Sequence, residues 1–537
     1  MATSLPFQVR NLSSFSHNRS LQLAKLNDPS LFHEASLLDG KWVQSQTGKS
    51  FSVEGWDHLM RTNESQTLIS LLDPGTGQIW ARSPANELSD VDQYVETSHS
   101  AFKQFRHTNP RIRAKLLLKW HELVSKAKDD IANIVVYETG KPKAEALGEV
   151  DYALGFLWWF AGEAERIRGS VAIPSVSDRR TFVIKQPIGV CVALVPWNFP
   201  VAMILRKVAA ALAAGCTMII KPSPETPLSV MALADLAERA GIPPGVINVI
   251  STDIANTPAV SERLCKHPLV RKVTFTGSTA IGSLIVKQCS EGLKKVTMEL
   301  GGNCPFIVFD DGNLEDAVAA LMILKWRTAG QACTHANRVY VQKGVYQQFA
   351  RLLVESTNKL IKVGHGSTPG VSMGPLTTAR GLQKLERHVS DAVSKGGKLL
   401  CGGKAPDGLD DACGRGYFFE PTIISDMTSD MLTSNEEVFG PLLGLYPFET
   451  EDEVVEMANN TSMGLASYFF TKDVDRTWRM LESLEAGMIG MNTGNASGAE
   501  SPFGGIKESG YGKEAGRDVA IEEYLISKTG TLTVHPS

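Results

Sequence analysis

Between residues 180 and 310 the chain alternates short β-branched runs with longer stretches of helical spacing. "GVCVALVPW" reads as a strand, and "VAMILRKVAAALAAG" as a helix stopped by Gly215. "TMIIKPS" is the next strand and "PLSVMALADLAERAG" the next helix; "VINVIS" and "KVTFTGS" continue the rhythm. That alternation is the βαβ pattern of a parallel, doubly wound sheet. From about 86 to 170 the pattern is helical. In "RIRAKLLLKWHELVSKAKDDIANIVVYETGK" apolar residues recur every three or four positions, up to Gly140. A second alternating stretch runs from 305 to about 500, with "PFIVF", a helix around "LEDAVAALMILKWRTAG", and "RVYVQ". Residues 51 to 68 form a polar excursion between short strands, and the chain ends in the β-prone "GTLTVHPS". Short β-rich arms of that kind add strands to a partner subunit.

With 537 residues the chain has room for roughly three to four structural units and large cores. Hydrophobic residues are 43% and charged residues 21%, as in an ordinary globular protein. A net charge of −4 argues against a nucleic-acid partner, and no apolar run is long enough to span a membrane. The eight cysteines lack zinc spacing, which argues against a metal, and their scatter suits a reducing compartment. The first 25 residues carry Arg10, Arg19, Lys25 and five serines but no acid. This fits a mitochondrial transit peptide and equally a plain tail; there is no apolar core for secretion.

Several short segments carry chemistry. In "VTFTGSTAIG", Gly277 and Ser278 follow a strand and open a helix whose amides can meet an anion, although an ordinary β–α turn looks the same. Lys221 ends a strand, where it reaches a ribose or phosphate or merely caps it in solvent. In "LVPWNFP", Asn198 either caps the helix that begins at Pro200 or aims its amide at an oxyanion. In "MELGG", Glu299 is a general base if buried and a turn carboxylate if not. Acids such as those of "EEVFGP" are usually solvated. Cys333, in "TAGQACTHANR", is by base rate a small buried apolar residue.

Taken together and in order, "PWNFP", "KPSPETP", "FTGSTAIG", "MELGG", "GQACTHANR", "EEVFGP" and "SPFGGIKESGYG" resemble the aldehyde dehydrogenase superfamily, from about residue 39 to the C-terminal arm. "RKVAAALAAGCT", "MELGGNCPFIVFD" and "LTSNEEVFGPL" are most similar to the succinate-semialdehyde dehydrogenases. The resemblance implies an α/β fold with a Rossmann-type cofactor domain over 26–166 and 190–300. It also implies a catalytic α/β domain over 301–508 and a β-rich oligomerisation arm over 167–189 and 509–537. It implies NADP or NAD as coenzyme, an aldehyde as substrate, a homodimer or homotetramer, and a place in the cytoplasm or mitochondrial matrix.

On this resemblance Cys333 is the nucleophile, giving a thiohemiacetal and then a thioester. Asn198 and the Cys333 amide hold the oxyanion, and Glu299 activates the hydrolytic water. Trp197, Lys221, Ser223, Gly277, Ser278, Glu437 and Phe439 match coenzyme contacts. Arg206 and Arg327 match a clamp on the substrate's distal carboxylate, and Ser497 a further contact there. Each arginine read alone is also a surface charge or an ordinary ion pair. His335 stands where many semialdehyde enzymes carry a second cysteine, so a disulfide to Cys333 from that position is impossible; His335 tunes the thiol or walls the pocket. Pro224 stands where NAD-specific members carry an acid, which favours NADP, alone or with NAD; Glu225, one residue late, intrudes on that reading. The loop "NASGAES" departs from the common subfamily form. This leaves open a neutral aliphatic or aromatic aldehyde as substrate, and a non-catalytic dinucleotide-binding protein on the same fold.

Overall fold

Five parallel strands order the first half of the chain. In space they run Ile247–Val249, Thr217–Lys221, Val190–Leu194, Val270–Thr276 and Lys295–Glu299. The crossings are helices, with Pro200–Ala214 and Leu228–Arg239 on the side that carries the main core. Ser36–Leu38 and Lys41–Val43 extend one edge antiparallel, and Gly510–Tyr511 closes the other. This computed structural model describes residues 20–22, 24–45, 68–409, 414 and 416–535. Most of the N-terminal extension and of the 51–68 excursion lies outside the described residues.

The helical pattern over 111–141 resolves into two helices, Pro110–Lys126 and Lys128–Thr139, because the backbone breaks at Ala127. Asn109 caps the first through its side chain, and Asp129 and Asp130 favour the start of the second. Gly140 ends it at φ +78°, as a left-handed cap requires. The helix Pro200–Ala214 is buried on every side and stops at Gly215, φ +95°. That total burial explains its unbroken apolar sequence, and it makes Arg206 and Lys207 exceptional.

A second sheet runs Lys398–Cys401, Thr422–Ser425, Leu442–Phe448, Ala336–Gln342, Cys304–Val308, Ala466–Phe470 and Met488–Met491. All its pairings are parallel except that of the first strand. The link from Glu299 in the first sheet to Cys304 in the second is only Leu300–Asn303. The carboxyl ends of the first sheet therefore face the amino ends of the second. A third sheet joins Ser170–Ala172, Arg179–Pro187 and Leu525–Thr533, the last two paired along nine residues.

Candidate active site

The register of the first sheet collects its functional side chains. Leu194 pairs with Lys221 and with Phe275, and Thr276 pairs with Glu299. The strand ends leading to Asn198, Lys221, Gly277 and Glu299 thus lie side by side, where open α/β sheets bind ligands.

Cys333 sits just before Ala336–Gln342, at the amino end of the second sheet. The chain reaches it through two consecutive left-handed residues, Thr328 (φ 53°, ψ 33°) and Ala329 (φ 49°, ψ 41°). Such backbone is strained for residues with a Cβ and persists only where its surroundings impose it. Here Glu145 accepts from the Thr328 amide at 2.6 Å. Gln331 donates to the Thr328 carbonyl at 3.0 Å and accepts from the Thr377 amide at 3.0 Å. Gly302 lets the facing turn close on this loop: a Cβ there would lie 2.3 Å from the Cys333 carbonyl oxygen.

Asn198 is buried, and one amide hydrogen goes to the Gln331 carbonyl at 2.9 Å. The other hydrogen remains available. It does not cap the following helix; Glu149 does that, accepting from the amides of Val201 and Ala202. Glu299 is 1% exposed, and neither carboxylate oxygen has a hydrogen-bond partner among the described residues. Burial first, and then the nearby Glu514 carboxylate, hold its pKa well above the usual range. Burial also pushes the Cys333 thiol up, and Glu437 and Glu299 add to this while Arg206 opposes it. The thiol is therefore protonated at neutral pH and needs a base to become a nucleophile. His335 is 1% exposed, and its ring nitrogens make no aligned hydrogen bond among the described residues. Burial, Arg327 and Lys325 keep it neutral, so it stands as an uncharged wall.

Arg206 is neither a surface charge nor a simple ion pair. It is 1% exposed, lies 4.0 Å from the Phe503 ring centre and 5.7 Å from that of Phe156, and stands 3.3 Å from Glu514 through Nε. That pair is close but not aligned as a hydrogen bond, and Nη1 also lacks a partner among the described residues. Arg327 is exposed and lies 5.7 Å from the Phe199 ring centre. Ser497 is half-buried, and its hydroxyl meets that of Tyr152.

At the carboxyl end of its strand, Lys221 is buried rather than a solvent cap. Burial pushes its pKa down to about 8 against the pull of Glu225 and Asp253. Ser223 donates to Glu225 at 2.5 Å. The Gly277 amide is committed to the Glu299 carbonyl at 3.0 Å, while Ser278 is exposed and makes no side-chain cap. Glu437 accepts from the Gly302 amide through Oε1 at 3.0 Å. Trp197 and Phe439 meet edge to face at 5.5 Å, with Phe439 at φ +53°. An uncapped helix start, a carboxylate with one oxygen free and an aromatic corner fit a dinucleotide.

Lys207 and Glu514 escaped the sequence reading. Lys207 donates to Thr274 (3.0 Å), Thr276 (2.8 Å) and Glu514, and all of this is buried. The sign of it was two adjacent cations, Arg206 and Lys207, inside an otherwise apolar helix.

The carboxylate of Glu299 and the side-chain amide of Asn198 stand at the strand ends of the doubly wound sheet, with the Cys333 thiol on the loop that Asn198 touches, an arrangement that fits a dinucleotide-dependent oxidoreductase. The chain belongs to the aldehyde dehydrogenase family, whose model matches residues 60–529, and it is an NAD(P)-dependent enzyme of aldehyde oxidation. It is 45% identical to a 3-sulfolactaldehyde dehydrogenase of Pseudomonas putida, over 94% of this chain and 98% of that protein. It is 44% identical to succinate-semialdehyde dehydrogenase [NADP(+)] 1 of Schizosaccharomyces pombe, over 94% of this chain and 95% of that protein. The crystal structure of a succinate-semialdehyde dehydrogenase from Burkholderia pseudomallei superposes with a TM-score of 0.88 at 40% identity, covering 95% of this chain and all of that one.

Proposed function

We propose that the protein oxidises succinate semialdehyde, or a close carboxylated relative, to the corresponding dicarboxylate. The observation that carries this is Arg206: a guanidinium enclosed between Phe156 and Phe503, with Nε and Nη1 lacking hydrogen-bond partners among the described residues. Buried donors left open favour an anionic group, and a guanidinium suits a carboxylate. Arg327 and the Tyr152-held Ser497 would complete the clamp. The relatives named for succinate semialdehyde, glutarate semialdehyde and 3-sulfolactaldehyde point the same way, since each of those aldehydes carries an acid group.

In this reading the Cys333 thiol passes its proton to ionised Glu299 and the sulfur bonds to the aldehyde carbon. The free amide hydrogen of Asn198 and the Cys333 backbone amide stabilise the oxyanion. NAD(P)+, when bound, would supply the hydride acceptor for oxidation of the Cys333 adduct to a thioester. Glu299, once ionised, takes a proton from water, whose oxygen displaces the sulfur and releases the acid. A base whose pKa is raised by burial is the stronger acceptor for that step. Lys221 and Ser223 would hold the adenosine ribose, the helix after Gly277 and Ser278 the pyrophosphate, and Glu437 the nicotinamide ribose, with Trp197 and Phe439 beside that ring.

We assign coenzyme binding to 26–166 and 190–300, catalysis to 301–508, and assembly as a homodimer or homotetramer to 167–189 and 509–537. The assembly reading is supported by Leu525–Thr533, an edge strand whose sheet exposes Val171, Phe182, Ile184 and Leu532. No described helix is long and apolar enough to cross a membrane. Seven described cysteines are free, which fits the cytoplasm or the mitochondrial matrix.

The test compares kcat/KM for succinate semialdehyde and for butanal, with each coenzyme. Preference for the acid-bearing substrate by at least about 100-fold is expected from a clamped ion pair. Equal or better turnover of butanal would sink the carboxylate reading. No aldehyde-dependent NAD(P)H absorbance would sink catalysis itself.

A further inference from the structure

The start of one helix, Lys143–Ala164, and the residues just before it hold the site from two sides. Lys141 donates through Nζ to Glu149 Oε2 at 2.6 Å and to the carbonyl of Asn198 at 2.8 Å, and its ammonium stands 4.3 Å from the centre of the Phe199 ring. The other oxygen of Glu149 accepts from the amides of Val201, at 2.8 Å, and Ala202, at 3.2 Å. Both side chains are 1% exposed. Glu149 thus caps the helix Pro200–Ala214 from outside it, satisfying amides that have no partner within that helix. Lys141 pins the peptide immediately before it. One turn earlier on the same helix, Glu145 takes the Thr328 amide at the entrance of the left-handed turn that leads to Cys333.

Stability alone is a poor reason for a wholly buried ion pair, because an apolar pair of similar volume does as well. Direction is a better one. The Asn198 carbonyl cannot rotate without leaving the ammonium, and the Asn198 side-chain amide follows its own backbone. Asn198 also donates to the Gln331 carbonyl, two residues before Cys333, so the turn held by Lys141 is joined to the nucleophile loop.

We propose that Lys141 and Glu149 are positioning residues that hold the Trp197–Phe199 turn so that the Asn198 amide faces the nucleophile loop. The inference rests on Asn198 being the oxyanion donor. A group that acts only through Asn198 loses its influence once that amide is removed.

The experiment is a double-mutant cycle in the full-length protein with Lys141→Met, Asn198→Ala and both together. Lys141→Met should lower kcat about 30-fold, with KM and the NAD(P)+ dissociation constant, read by quenching of protein fluorescence, changed less than about threefold. In the Asn198→Ala background the same change should lower kcat less than about twofold. Losses that multiply, or a Lys141→Met enzyme with unchanged kcat, would overturn the inference. If Lys141→Met does not fold, Glu149→Gln replaces it, since it keeps an oxygen on the Val201 and Ala202 amides and removes the negative charge that faces Lys141. Full turnover by Asn198→Ala alone would instead strike down the oxyanion reading on which the inference stands.

Discussion

Lys207 and Glu514 form an ion pair with the lysine fully enclosed and the glutamate 2% exposed, at the inner end of the strand Val270–Thr276. Arg206 stands on the other oxygen of the same carboxylate. The two cations keep Glu514 ionised despite its burial, and its charge in turn helps keep the proton on Glu299. Glu514→Gln removes that negative charge while leaving the cations, so the Glu299 pKa falls. The acid limb of the kcat–pH profile, which reports ionisation of the base, should move to lower pH. Stability should drop by about 3 kcal/mol or more, because two buried cations lose their partner. A pH–rate profile taken well below the melting temperature checks this. An acid limb that stays put or moves up excludes Glu514 as the tuning charge.

Cys333→Ala should abolish aldehyde oxidation, by at least about a thousandfold, while NAD(P)+ still binds. Mass spectrometry of the wild-type enzyme quenched during turnover should find the acyl adduct on the peptide containing Cys333. Retained turnover in the alanine variant defeats the covalent mechanism.

Arg327 is the cleaner arginine to remove, being exposed, whereas deleting Arg206 would empty the space between two aromatic rings. Arg327→Ala should raise KM for succinate semialdehyde about tenfold and leave kcat/KM for butanal within about twofold. Equal losses on both substrates would assign Arg327 to the nucleophile loop instead.

With Lys221 as the proposed ribose contact, stability and coenzyme binding become linked. Its folded pKa, about 8, lies below that of an unfolded lysine, near 10.5. Below pH 8 the cation is present in both states and its burial is a full penalty; the penalty fades as pH rises toward 10.5. Lys221→Met should therefore stabilise the apoprotein at pH 7, by up to about 3 kcal/mol, and weaken NAD(P)+ binding. Denaturant midpoints and calorimetric titration read the two effects. A variant that is less stable and binds as tightly would contradict both.

The strands and helices of the first sheet were legible because its buried segments are long and apolar, and helix ends at Gly140 and Gly215 carry a residue suited to positive φ. The break at Ala127 was not, because apolar spacing continues across it. Burial of Lys221 and Arg206 also escaped the pattern: each follows an apolar run, and only the three-dimensional wrapping decides whether a chain end or helix face meets water. The Lys141–Glu149 clasp joins residues whose third partner, Asn198, is far along the chain, and no local spacing encodes that.

The strand Leu525–Thr533 completes its sheet against Arg179–Pro187, which leaves the ribosome more than three hundred residues earlier. Glu514 and the Gly510–Tyr511 edge strand belong to the same late segment. During synthesis the early strands wait with open edges, a period of exposure to misassembly. The Glu514 carboxylate, which adds to the effect of burial on the Glu299 pKa, also arrives only then. A nascent chain thus carries its Cys333 loop well before the Lys207–Glu514 pair can form.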